Sequence, residues 1–195
     1  MGEIREAIME DASFIAEISI SSLGYQCDRS LVERRLEEMD SDKQKVYVAV
    51  ENNVVVGFIH VELYQLLYQK DLANVLGLAV REDVQKKGYG KKLLDYAVEK
   101  ARELGCGALF IEGNIEFYGK SGFVESKSKN IFYNDEPRQN EIPYFLCKEL
   151  IPDFLKGKTG TYRTPSEYFV SDEQVEEFDK TFEPKEKLKL PGQLF

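Results

Sequence analysis

The sequence predicts a mixed α/β (α+β) fold, a sheet flanked by helices, and three stretches carry the prediction. Residues 76–80, Leu-Gly-Leu-Ala-Val, form an apolar strand that runs through a polar turn into Gly88, Gly90 and an amphipathic helix. Residues 46–50 and 54–63 are β-branched and aromatic runs joined by Asn52-Asn53, which tolerates positive φ and makes a tight hairpin. Residues 107–112 are an apolar run ending in an acid, the pattern of a buried strand. With 195 residues the chain can bury a substantial core as one domain with an appendage.

Taken in order, residues 4–7 form a short strand, and Asp11 begins a helix that runs to about Ser22 and stops at Gly24. A second helix runs from Asp28, as N-cap, to Met39, with Val32, Leu36 and Met39 on one face. The hairpin follows, and its second strand puts His60 and Glu62 on one face because side chains alternate. Residues 64–72 make a longer connection, and residues 73–80 are the next strand. The helix over 88–104 places Leu94, Ala97, Ala101 and Leu104 at core spacing, and Gly105 stops it. Residues 125–141 are a polar loop or irregular strand pair, and residues 142–148 a closing strand.

After Leu150 the composition changes, so the chain divides into a domain over 1–150 and an extension over 151–195. Pro152, Gly157, Gly160 and Pro165 break up the extension, while Ser171-Asp172-Glu173-Gln174 has capping-box spacing. The helix it opens puts Val175, Phe178 and Phe182 on one stripe. That stripe packs on its own domain or on a second copy of the chain, a homodimer being one of the two arrangements.

A net charge of −9 argues against general nucleic-acid or anionic-membrane binding and is compatible with cationic amines as partners. No apolar run approaches bilayer-spanning length, and the first residues lack a secretory apolar stretch. Cys27, Cys106 and Cys147 are odd in number and widely spaced, without metal-ligand pairing. They read as buried reduced thiols of a cytoplasmic protein, and no metal is expected.

The turn before the long helix is where chemistry concentrates. Backbone N–H groups in a glycine turn and a first helical turn lack internal partners and together form an anion site. Lys86, Lys87, Lys91 and Lys92 add positive charge there. A P-loop needs Ser or Thr after Gly90-Lys91, where Lys92 stands; a dinucleotide fingerprint needs a third glycine where Leu93 stands. What remains, Gln85-x-x-Gly88-x-Gly90, resembles the acyl-CoA signature of the GCN5-related N-acetyltransferases (GNAT). A second stretch supports the resemblance. Phe117-Tyr118-x-x-x-Gly122-Phe123 matches the family's segment after its fifth strand residue by residue. Many relatives carry an Asn seven residues before the tyrosine; this chain has Ile111 there and Asn114 four before it, similar to another branch.

The resemblance implies a mostly antiparallel sheet of roughly seven strands in the order strand, two helices, three strands, helix, strand, helix, strand. It also implies a splay between the fourth and fifth strands for the pantetheine arm, where backbone groups of Leu78 and Val80 pair with the arm, Ala79 between them is a further cofactor-binding residue, and Gly77 marks the bulge that opens it. Gln85, Lys86, Lys87, Gly88, Tyr89, Gly90 and Lys91 then hold acetyl-CoA as co-substrate, together with Asn114 and Tyr118. The implied reaction transfers an acetyl group to a primary amine of a small molecule or peptide by direct attack on the thioester. In it Tyr118 takes the family's position for the proton donor to the leaving thiolate. Histone-acetylating relatives have Glu where this chain has Asn74, and Asn accepts no proton at neutral pH. His60, the only histidine, is the expected base, with Glu62 and Glu112 as further candidates. The alternative is a non-catalytic acyl-CoA-binding or regulatory module of the same fold.

Overall fold

The computed structural model describes residues 2–23, 29–40, 42–66, 69–134 and 136–163, with Ser171, Glu173 and Lys180 beyond them. The order is β1 (Glu3–Glu6), α1 (Ala12–Ile18), α2 (Arg29–Glu38), β2 (Gln44–Glu51), β3 (Val54–Leu66) and β4 (Gln69–Val80). There follow α3 (Tyr89–Glu103), β5 (Ala108–Glu112), α4 (Ile115–Tyr118), β6 (Val124–Glu125), β7 (Ile131–Tyr133), β8 (Phe145–Glu149) and β9 (Gly160–Tyr162). Seven strands form one sheet in the order β1-β2-β3-β4-β5-β8-β6, and β7 pairs with β9 in a small second sheet. Among the described residues, only the β4–β5 pairing in the large sheet is parallel.

Asp11 does more than open a helix. Its carboxylate, 4% exposed, takes Arg5 Nη1 at 2.6 Å, Arg5 Nη2 at 2.9 Å and the Ile8 backbone N–H at 2.9 Å. Those bonds clamp β1 to the entry of α1, which starts one residue later than the sequence indicates. The helix also ends early, because residues Ser19–Leu23 widen into a π turn, with the Ser19 hydroxyl donating to the Ile15 carbonyl at 2.7 Å. The expected N-cap Asp28, Cys27, and the expected stripe of Val175, Phe178 and Phe182 lie outside the described residues. Asn52 and Asn53 adopt φ of 52° and 64°, the two-residue hairpin turn that the dipeptide encodes.

The expected long connection over 64–72 is instead strand. β3 and β4 stay in antiparallel register out to Leu66↔Gln69, since a ladder satisfies backbone groups whatever the side chains. Glycine and proline after Leu150 do not keep the extension wholly irregular either. β9 lies parallel to β7, from Ile131↔Gly160 to Tyr133↔Tyr162, so this part of the extension packs on its own domain.

Alternation sorts the side chains into three clusters. On one face α3 lays Leu93, Leu94, Ala97 and Ala101 over Ile59, Val61, Val75, Leu109 and Ile111. On the other face α1 and α2 cover Val46, Val48, Val55 and Phe58 with Ile15, Ile18 and Val32. Farther along that face, β7, β9 and Leu155 cover Ala108, Phe110, Phe145 and Cys147. Cys106 and Cys147 are buried free thiols. Between the second and third clusters runs a polar strip on β3, β4 and β5, and the extension reaches it. Tyr162 Oη accepts from Nδ2 of the buried Asn74 at 3.0 Å.

Removing the Tyr162 hydroxyl leaves that amide without its acceptor. Tyr162→Phe is expected to cost about 1–3 kcal/mol, read as a lower denaturant midpoint with an unchanged slope.

Candidate active site at the strand splay

The β4–β5 ladder runs from Leu72↔Ala108 to Val75↔Ile111 and stops, although β4 continues to Val80. The cause is local. On the β3 side the register passes from Val61↔Val75 to His60↔Gly77, so Leu76 is an extra residue that bends β4 away. Beyond it, β5 stays with β8 through Glu112↔Phe145 while β4 follows β3. The outer edge of residues 76–80 is thereby opened, the divergence that the resemblance implied.

An open groove of about 670 Å³ occupies this divergence. Leu78 and Val80 form one wall, Gln85, Lys86, Gly88, Tyr89, Gly90 and Lys91 the end, and Phe117, Tyr118, Lys120 and Ser121 the other wall. Gln85 Nε2 donates to the Val80 carbonyl at 3.0 Å, and Ser22 Oγ donates to the same oxygen at 3.1 Å, fixing the turn against the strand end. Lys86 and Gly88 take φ of 61° and 89°, and Gly88 is the N-cap of α3 without any side-chain cap. The first intrahelical bond falls to Lys92 N, so the N–H groups of Tyr89, Gly90 and Lys91 have no helical acceptor. A Cβ added at Gly88 would meet nothing within 4 Å, so the backbone stands open on that side. Such a corner accepts an anion.

Tyr118 closes the far wall. Its ring stands edge-on to Phe117 at 4.8 Å and to Phe123 at 5.9 Å, and rests on Gly113, where an added Cβ would fall 2.2 Å from its Cε2. Gly113 is thus required for the tyrosine to stand where it does. Burial pushes the Tyr118 hydroxyl up to about 12, so it keeps its proton at neutral pH. Among the described residues that hydroxyl has no hydrogen-bond partner.

Three of the expected contact residues stand apart from the groove lining. Ala79, 4% exposed, turns its side chain into the α1–α2 cluster. Lys87 is exposed on the turn outside the lining. Asn114 is the N-cap of α4, its Oδ1 accepting the Glu116 N–H at 2.8 Å, a structural task for the side chain.

His60 lies on the opposite face, with Nε2 3.1 Å from Gln44 Oε1. Burial first, and the Arg35 charge second, lower it from 6.5 to about 4. It is therefore neutral at pH 7 but a weak base. Beside it Tyr64 donates to Glu62 Oε2 at 2.5 Å, and burial first and that bond second hold the phenol well above its ordinary value. Glu112 accepts a hydrogen bond from Tyr133, and burial still raises its pKa. Nothing in the sequence marks Tyr133 or Tyr162 as near the site beyond the strand-like triplets Ile131-Phe132-Tyr133 and Gly160-Thr161-Tyr162. Among the described residues no group of three or more His, Cys, Asp or Glu gathers as a metal site, and no helix is long and apolar enough to cross a membrane.

A mostly antiparallel sheet, splayed beside a glycine-led helix, is the architecture of an acyl-CoA-dependent transferase fold. A profile of the acetyltransferase (GNAT) family matches residues 7–123, more than half of the chain, and the chain belongs to that family. It is similar to Uncharacterized N-acetyltransferase YvbK of Bacillus subtilis, 32% identical over 92 residues, which are 42% of this chain and 57% of that protein. It is also similar to Uncharacterized N-acetyltransferase YjhQ of Escherichia coli, 28% identical over 116 residues, 58% of this chain and 64% of that one. The chain thus spans roughly three fifths of the length of these relatives. Among solved structures, the GNAT family N-acetyltransferase YhbS of Escherichia coli, in complex with CoA, superposes with a TM-score of 0.70 at 20% identity, over 86% of this chain and 91% of that one. A GNAT family acetyltransferase of Brucella melitensis, in complex with acetyl-CoA, gives 0.57 at 18% identity, over 78% and 90%. At these identities the superpositions establish the fold.

The buried imidazole yields a direct check. The single histidine resonance is expected to titrate near pH 4 rather than 6.5. Because the unfolded chain binds that proton more readily, His60 makes stability fall as pH drops from about 6.5 towards 4. His60→Gln is expected to flatten that part of the pH–stability curve.

Proposed function

We propose that the protein is an N-acetyltransferase that moves an acetyl group from acetyl-CoA to a primary amine of a small molecule or peptide. The observation that carries this reading is Tyr118, a protonated phenol without a partner among the described residues, set on the wall of a groove whose end is an anion-accepting helix N-terminus. Free N–H groups of Tyr89, Gly90 and Lys91 suit a pyrophosphate, with Lys86, Lys91 and Lys120 supplying charge. The open edge of β4 at Leu78 and Val80 suits an amide-bearing arm, which adds to it as a strand would.

Amide formation needs a neutral amine and a protonated leaving thiolate. At pH 7 only on the order of one alkylamine in a thousand is neutral, so a proton acceptor accelerates attack. Tyr118 gives its proton to the thiolate in direct transfer. His60, facing Gly77 across the β3–β4 ladder, is one acceptor for the ammonium proton, and its lowered pKa makes it a feeble one. Asn74, which accepts no proton, favours the second reading, a non-catalytic acyl-CoA-binding or regulatory module.

Acetyl-CoA and CoA are expected to raise the melting temperature, and ATP to leave it unchanged. Thiol release with a panel of amines then separates enzyme from binder. Tyr118→Phe is expected to cut turnover about 100-fold or more while acetyl-CoA affinity changes little. Unchanged turnover in that variant dismisses the donor role.

A further inference from the structure

We propose that Glu112, held by Tyr133 at the mouth of the splay, receives the acceptor's ammonium group and takes its proton. This rests on the acetyltransferase reading above and adds to it the acceptor subsite, its chemistry and the part of the chain that builds it. The acceptor it implies is a cationic primary amine.

Position makes the first argument. Ile111 is the last residue of β5 to pair with β4, so Glu112 stands at the lip of the gap, level with the bulge at Leu76 and Gly77. Ile111 packs under α3, and alternation therefore turns Glu112 to the opposite face, the face of the polar strip. Its chain neighbour Gly113 carries the ring of Tyr118, whose packing is with the α3 side. Tyr118 thus lines the groove on one face of the sheet, and Glu112, one residue past the last β4–β5 pair, stands on the other. A thioester carbonyl is attacked by the amine nitrogen to give a tetrahedral intermediate, which collapses with loss of the thiolate; the carboxylate serves the nitrogen and the phenol the departing sulfur.

Chemistry makes the second. Glu112 is half-buried, which holds its pKa above the ordinary carboxylate range and makes it a stronger proton acceptor than an exposed one. Tyr133, on β7, donates to it and opposes that rise. Tyr144, just before β8, is raised by burial and also feels the charges of Glu112 and Glu136. From β9, Tyr162 stacks on Tyr133 at 6.0 Å, and Tyr144 stands edge-on to Tyr133 at 5.8 Å. Phenol faces and a carboxylate together suit an ammonium group. The C-terminal extension is therefore part of the acceptor site, because β9 buttresses the tyrosine that orients the acid.

The protons balance. Glu112 takes one proton from the ammonium and frees the nitrogen lone pair. The C–N bond forms, the C–S bond breaks, and the thiolate takes the Tyr118 proton. A second proton from the nitrogen restores the phenol, and Glu112 releases its own to solvent. The sum is ammonium plus thioester giving amide, thiol and one proton.

The test compares the full chain with Glu112→Gln and Tyr133→Phe, using acetyl-CoA with butylamine, phenethylamine and a lysine-containing peptide. With whichever amine turns over best, Glu112→Gln is expected to lower kcat/KM about 100-fold or more, with acetyl-CoA affinity retained. The deficit narrows as pH rises towards the amine's own pKa. Below the Glu112 pKa the protonated acid accepts nothing, so wild-type kcat/KM falls on the acidic side. Tyr133→Phe removes a bond to the carboxylate, raises that pKa and moves the acidic limb to higher pH, a shift that loss of packing alone does not produce. If Glu112→Gln stays within twofold of wild type, or the limb is unmoved by Tyr133→Phe, the assignment of Glu112 is overturned while the acetyltransferase reading stands. If wild type binds acetyl-CoA yet acetylates none of the amines, both are overturned.

Discussion

Everything at the site depends on β4 being held on one side along its whole length and on the other for only four residues. One extra residue at Leu76 causes this, because it sends the strand after β3 and away from β5. An edge opened inside a sheet leaves backbone donors and acceptors facing a gap, and such groups require partners. The last carbonyl of the strand, that of Val80, is already taken by Gln85 and Ser22. The remainder of the edge borders the groove, which makes the gap a place for a ligand that bonds as a strand does.

The divergence also makes the sheet a partition with a window. On one side α3 supplies a buried apolar layer and, at its N-terminus, unpaired amides and lysines. On the other, α1 with α2 and β7 with β9 leave a polar strip between them, bearing His60, Glu62, Asn74 and Glu112. Each of these has a partner: Gln44, Tyr64, Tyr162 and Tyr133 respectively. Polar groups at a partly dry surface are costly when orphaned and rigid when paired. The pairing therefore fixes the strip in one arrangement and draws β2, β7 and β9 into it.

Glycine enters the site twice for different reasons. Gly88 sits at φ 89° with open space where a side chain would stand, so it serves the approach of something from outside. Gly113 is crowded, and its missing Cβ admits the Tyr118 ring. The first is recognisable as a motif position; the second acquires meaning only when Tyr118 folds back onto it.

Sequence alone determined what depends on near neighbours. The Asn52-Asn53 hairpin, the strand–turn–helix from 76 to 104 and the Phe117-Tyr118 segment are local patterns, and local φ/ψ preference and side-chain period decide them. Leu78, Val80, Gln85, Lys86, Gly88, Tyr89, Gly90, Lys91 and Tyr118 accordingly meet in one groove, whereas Ala79, Lys87 and Asn114 do not line it. Tertiary structure decided the rest. Residues 64–72 became strand because a neighbouring backbone was there to pair, and Gly160–Tyr162 became β9 because β7 offered it an edge. Tertiary burial lowered the pKa of His60 and raised that of Glu112, since the cost of charge depends on surroundings assembled from distant segments. No periodicity in the chain records that Tyr133 and Tyr162, 29 residues apart, will stack beside Glu112.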